Sequence, residues 1–199
     1  MPFKAVDVDT QKTVLAFWFD ESAVLRAKHP NLVCPCCGEE VSARGGKSKH
    51  VVTHIFHKPK EGSRCPIALK YKNRSSLVHH TLMVNAVWQY LEKTTPDVFV
   101  LDVDHYSSDL PERVPDIAVL DSDGRIVEVH EIQLTKVTTA ELDERTRSYD
   151  DAGIECIWWF GKGCQTEDVI TWAKRNFGYC LLPDNSFFAQ EDELKDFAA

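Results

Sequence analysis

The spacing of apolar residues gives the C-terminal two-thirds of the chain clear periodicities and leaves much of the N-terminal third without them. Residues 75–93, SSLVHHTLMVNAVWQYLEK, place Leu77, Met83, Val84, Val87, Trp88 and Leu91 near helical spacing. DVFVLDVDH, residues 97–105, reads as a strand. Residues 114–135 read as a hairpin turning at Asp121, Ser122, Asp123 and Gly124. A second helix follows, with Thr138 and Glu141 as a capping box and Gly153 as its stop. IECIWWF, residues 154–160, is apolar enough for a buried strand. TEDVITWAKRNF then predicts a helix ended by Gly178, and YCLL a further strand. From residue 75 the order is therefore helix, strand, strand, strand, helix, strand.

The N-terminal part differs. Residues 4–20 predict a short hairpin, KAVDVD then TVLAFWF. Residues 34–66 are rich in Cys, His, Gly and Lys and poor in large apolar residues, so they build little core alone. A chain of 199 residues makes one domain, or one domain with a small appendage. We divide it into an N-terminal hairpin and zinc-binding module (1–74), an α/β domain with a mixed sheet (75–183), and an acidic, peripheral tail (184–199). No window approaches ~18 consecutive apolar residues, so no membrane partner is expected. The N-terminus MPFKAVDVDTQK has no apolar signal core, which predicts a cytoplasmic protein.

Charge changes this picture locally. The chain carries a net charge of −8, which by itself argues against binding nucleic acid. Yet residues 42–74 hold nine Lys and Arg against one acid, Glu61. That segment is +8, which leaves −16 on the rest, and a local basic patch steers a polyanion even on an acidic chain.

The same segment carries the cysteines. Cys34 and Cys37 stand at CxxC spacing, and HIFHKPKEGSRC adds His54, His57 and Cys65. Zinc takes four soft or borderline ligands in a tetrahedron, and two thiolates on one tight turn supply half of it. The expected ligands are Cys34, Cys37, His57 and Cys65, with His54 as the alternative to His57 and Cys36 as a spare. A metal would order a basic stretch that has little core. A closed four-ligand site of this kind is structural rather than catalytic.

A second constellation lies on the hairpin. In VHEIQLT, residues 129–135, Glu131 and Gln133 share a strand face with Val127 and Val129. If the turn is 121–124, Leu120 pairs with Arg125 and Asp116 falls opposite Val129. Asp116 then lies diagonal to Glu131 on the same face, at roughly 7–8 Å between backbones. Two carboxylates so placed suit one hard divalent cation, Mg2+ or Mn2+. A one-residue slip would turn Asp116 to the other face.

The spacing of Pro115-Asp116 and Glu131-Ile132-Gln133 resembles the PD-(D/E)xK nuclease signature. Together with the CxxC turn, HxxH and Cys65, a helix with a His, and ELDERTRSYDDAGIECIWWF, it is similar to the competence protein CoiA-like nuclease family over roughly residues 30–161. The resemblance implies a restriction-endonuclease-like αβββαβ core behind a zinc module, and hydrolysis of DNA phosphodiesters with a divalent metal. It implies Asp116, Glu131 and Gln133 as the catalytic residues, with Asp116 and Glu131 on the metal and Gln133 orienting water. Arg145 and Tyr149, four apart on one face of the flanking helix, carry over with them. Of the two histidines in LVHHTLM, His79 takes the family's His position and is preferred over His80 as the one facing the site. Two departures stand out. Gln133 replaces the usual Lys and brings no positive charge. Apolar residues replace the acid and Lys that usually accompany the helix His. The expected partner is DNA, held in part by segment 42–74. The alternative is a zinc-stabilised DNA-binding or protein-interaction module without catalysis.

Overall fold

The computed structural model describes residues 4–46, 53–57, 65–71, 77–107, 110 and 113–177. The predicted Gly178 stop, the YCLL strand, the acidic tail and most cations of segment 42–74 lie outside them. The fold is mixed α+β with five helices among the described residues. The chain divides into two compact units, one from the N-terminus to Val78 with residues 106–114, the other holding 79–105 and the chain from Pro115 on.

The first unit begins with the expected hairpin, β1 (Lys4–Asp7) against β2 (Thr13–Leu15), in the register Lys4 to Leu15. Four elements follow that the apolar pattern did not predict: helix α1 (Ser22–Lys28), strand β3 (Leu32–Val33) and the paired strands β4 (Ser42–Arg44) and β5 (His54–Phe56). They are too short for periodicity to show. The first sheet has the order β2-β1-β3, and β4 pairs with β5 in a separate ribbon. A short helix α2 (Pro66–Tyr71) starts directly after Cys65.

The second unit carries the predicted order. Helix α3 (Leu77–Thr94) buries Met83, Val84, Val87, Trp88 and Leu91 on one stripe. Strand β6 (Val100–Val103) is shorter than predicted, and Val98 before it and Val100 at its start are exposed. Strands β7 (Ile117–Leu120) and β8 (Ile126–Gln133) form the hairpin, helix α4 (Thr139–Asp150) crosses over, and β9 (Glu155–Phe160) returns parallel to β8. Helix α5 (Glu167–Phe177) follows. The sheet order is β6-β7-β8-β9, so β8 is flanked on both sides and is the spine of the unit. This is the αβββαβ core that the sequence implied. No helix among the described residues is long and apolar enough to cross a membrane.

The hairpin register corrects the expected one. Leu120 pairs with Ile126, not Arg125, and Ala118 rather than Asp116 faces Val129. The ladder then shifts, so that Val119 pairs with Glu128 and Ile117 with His130. The turn shifts the pairing by one residue and the bulge at Val127 by a second, and two shifts restore the original face. Continued one step, the ladder sets Asp116 directly across from Glu131, about 5 Å between backbones instead of diagonal. The turn is held by Asp121 Oδ1, which accepts from the Asp123 and Arg125 amides at 2.9 Å each. Gly124 supplies a φ of 77° that other residues adopt at a cost.

Helix α4 starts where its capping box places it. The Glu141 amide donates to Thr138 Oγ1 at 3.2 Å, and the Thr138 amide donates to Glu141 Oε2 at 2.9 Å. The bond from the Thr138 amide holds the Glu141 carboxyl below its ordinary range. Thr138→Ala is therefore expected to lower stability by about 1 kcal/mol. A denaturant titration that followed helix content and found no change would contradict this cap.

Candidate metal centre and carboxylate site

Both predicted constellations assemble, each within its own unit. In the first unit, β3 leads into the Cys34–Cys37 turn. The Gly38 amide donates back to the Cys34 carbonyl at 2.9 Å, and Gly38 takes a φ of 69° to close it. His57 comes from the residue after β5, and Cys65 from the residue before α2. The ligand atoms of Cys34, Cys37, His57 and Cys65 all lie within 4.8 Å of one another. A zinc tetrahedron with Zn–S bonds of ~2.3 Å has S···S edges of about 3.8 Å, and S···N edges of about 3.6 Å. The observed Cys34 Sγ to Cys65 Sγ distance is 3.7 Å, and Cys37 Sγ to His57 Nε2 is 3.2 Å. The cluster therefore fits a four-coordinate ion, with His57 in the group rather than His54.

The chemistry of the thiols agrees. Cys34 and Cys65 are buried, and burial pushes the Cys34 thiol well above its usual range and Cys36 up to about 12. Thiolates here call for a cation to balance them. The six described cysteines form no disulfide. Of the nine cations in segment 42–74, Arg44 and Lys70 fall in the described residues.

In the second unit, Asp116 and Glu131 are almost wholly buried, at 1% and 3% exposure. Asp116 Oδ2 accepts from the Ile132 amide at 2.9 Å and lies 3.0 Å from His80 Nε2. The histidine bonded to Asp116 is therefore His80, the neighbour of the expected His79. Helical phase decides this: His80 falls on the buried stripe with Val84 and Val87, and His79 is half-buried beside it.

Glu131 is held by the two residues of α4 that stand four apart. Arg145 Nη2 donates to Glu131 Oε2 at 2.5 Å, and the Tyr149 hydroxyl donates to Oε1 at 2.5 Å. Arg145 Nη1 also donates to Gln133 Oε1 at 3.2 Å, and the guanidinium lies over the Trp158 ring at 4.5 Å. The Gln133 amide nitrogen donates away, to the Thr135 carbonyl at 2.8 Å. Burial works against the Arg145 charge, but the carboxylates of Glu131 and Asp116 outweigh it and keep the guanidinium firmly protonated. Burial, then the Glu131 charge, push the Tyr149 hydroxyl far above its usual range, so it remains a donor. The structure thus brings Asp116, Glu131, Gln133, His80, Arg145 and Tyr149 together at one end of β7 and β8.

One residue here was passed over in the sequence. Asp104, just past β6, is 1% exposed with a φ of 48°, and its amide donates to the Asp116 carbonyl at 3.3 Å. An acid closing the apolar run VFVLDVD, one strand away from Asp116, was the signal for it. No group of three or more acid and histidine donor atoms gathers here as tightly as the Cys/His cluster, among the described residues.

A family model described as competence protein CoiA, nuclease-like domain, matches residues 79–186, just over half of the chain. The carboxylate constellation falls inside that range and the Cys/His cluster before it. Neither the curated proteins nor the solved structures give a match.

Two outcomes follow from this geometry. The wild type is expected to retain zinc through gel filtration, and Cys34→Ser and Cys65→Ser are each expected to lose it; equal zinc in all three by metal analysis would contradict the cluster. Arg145→Ala strands a buried carboxylate and should cost about 3 kcal/mol in unfolding free energy. A loss below ~0.5 kcal/mol, the size of a surface pair, would show that the contact is not structural.

Proposed function

This chain belongs to the competence protein CoiA nuclease-like domain family, and we propose that it hydrolyses DNA phosphodiester bonds with a divalent cation held by Asp116 and Glu131. The observation that carries the reading is the facing of two buried carboxylates inside the family-matched segment, with Arg145 as the permanent cation set against them. Two buried anions beside one such cation favour a further positive charge. Both are hard oxygen donors, which suits Mg2+ or Mn2+. Each carboxylate has about four lone-pair positions, so the hydrogen bonds on their oxygens leave room for a metal. The cation, when bound, would supply Lewis acidity and a lowered pKa for water.

The remaining work falls to the chain itself. Gln133 lacks the charge of the usual Lys, and Arg145 brings a guanidinium to the same place, steered there by the Gln133 carbonyl oxygen and stacked on Trp158. We assign Arg145 the charge on the phosphate and Gln133 the task of aiming it. Tyr149 holds Glu131 in one orientation. His80 lies 3.0 Å from Asp116, and we assign it the relay of a proton at the site. The Cys34, Cys37, His57 and Cys65 cluster would hold a structural zinc, and the basic segment around it would meet the DNA backbone without reading sequence.

A second reading draws on the same contacts. Both Glu131 oxygens already accept a hydrogen bond, and the motif's Lys is absent. A zinc-stabilised DNA-binding protein, with Glu131 as a structural anchor for α4, would show this too. Cleavage of supercoiled duplex and circular single-stranded DNA with Mg2+ or Mn2+ separates the two. Asp116→Asn and Glu131→Gln keep shape while removing charge, and should lower cleavage by about 100-fold or more with zinc content unchanged. Binding without cleavage in either metal, for wild type and variants alike, would establish the second reading.

A further inference from the structure

The chain has five tryptophans, and four of them, Trp88, Trp158, Trp159 and Trp172, are 3–7% exposed. Trp18 is 61% exposed. It sits in the run Phe17-Trp18-Phe19 of the first unit, which the nuclease reading does not use. Phe17 packs edge-on to it, with ring centres 6.3 Å apart and planes at 88°, and so steadies the indole plane from one side. The turn Ala16–Trp18 packs against β5. On β5, the Phe56 ring carries the Arg44 guanidinium 3.4 Å from its centre. The chain beyond β4 closes on the residues that follow Trp18: a Cβ on Gly46 would come within 2.2 Å of the Asp20 carbonyl oxygen. An exposed indole and a guanidinium-capped ring therefore occupy neighbouring segments of one unit.

Charge says what such a surface would receive. Residues 1–78 hold 13 Lys and Arg against 7 Asp and Glu, a net of +6 on a chain that is −8 overall. A segment of net positive charge that also presents an exposed aromatic ring and an Arg plane offers the chemistry that takes unpaired bases and their phosphates. Duplex bases are stacked on one another and offer it no ring face. We propose that Trp18, with Phe56 and Arg44 beside it, is a base-stacking site for single-stranded DNA. The proposal rests on the reading of DNA as substrate and specifies the form of DNA that this unit grips.

The test uses the full-length, zinc-loaded chain. At low salt, oligo(dT) of about 20 nucleotides should quench tryptophan emission, because Trp18 is the exposed indole. Anisotropy with labelled DNA then gives affinities. Trp18→Ala should weaken oligo(dT) binding about 5- to 100-fold. Trp18→Phe should recover most of that loss, and duplex affinity and zinc content should not change. Wild-type affinity for oligo(dT) in Trp18→Ala would overturn the proposal, as would an equal loss for duplex and single strand. A concentration-dependent mass that Trp18→Ala abolishes would overturn it too, since the surface would then join two copies of the chain. Trp18-dependent oligo(dT) binding without cleavage in any divalent metal keeps this surface and removes the nuclease reading. Cleavage by a chain whose Trp18→Ala variant binds oligo(dT) normally does the reverse.

Discussion

A carboxylate at 3% exposure in the central strand is the constraint around which the second unit is built. Burying an unpaired charge costs several kcal/mol, so Glu131 demands partners on the layer above it. Arg145 and Tyr149 answer from a single helix face. Their placement depends on where α4 begins, which the Thr138 and Glu141 cap decides, and on the Trp158 ring under the guanidinium. Trp158 is held in turn by its indole nitrogen, which donates to Thr146 at 3.0 Å on the same helix. Strand, crossover helix and parallel strand are thus tied through one buried carboxyl side chain.

The opposite face of β8 shows the contrast. His130 is as buried as Glu131, but its ring is satisfied within the sheet layer: Trp159 Nε1 donates to its Nδ1 at 2.9 Å, and its Nε2 reaches Glu128 at 2.7 Å. The buried carboxylates lie on the other face, where the ladder carries Asp116 across from Glu131, and that register depends on the bulge at Val127. In the proposed reading the bulge is thus a functional feature, since one residue less would turn Asp116 away from Glu131.

Much of this was legible in the residues. The αβββαβ order, the α4 cap and the four members of the Cys/His cluster follow from spacing and residue type, which are local properties. That Arg145 and Tyr149 share one helix face was legible, but that both take Glu131 was not, since this needs the packing of α4 on β8. The register was not legible, because Leu120 to Arg125 and Leu120 to Ile126 are equally good closures of an Asp-Ser-Asp-Gly turn, and only packing of the strands selects the bulged one. The choice of His80 over His79 needed the phase of α3 against the sheet. Asp104 was missed because an acid after an apolar strand looks like a solvated strand end until β6 is paired with β7. The small elements of the first unit, α1 and β3 to β5, fall below the length at which periodicity carries information.

The central claim is that Asp116 and Glu131 form a divalent-metal site distinct from the zinc cluster. Calorimetric titration of Mn2+ into zinc-loaded protein tests it most directly, with Asp116→Asn as the comparison. The account predicts one Mn2+ bound per wild-type chain, lost in the variant while zinc stays in place. Mn2+ binding of equal strength in both proteins, or none in either, would contradict it.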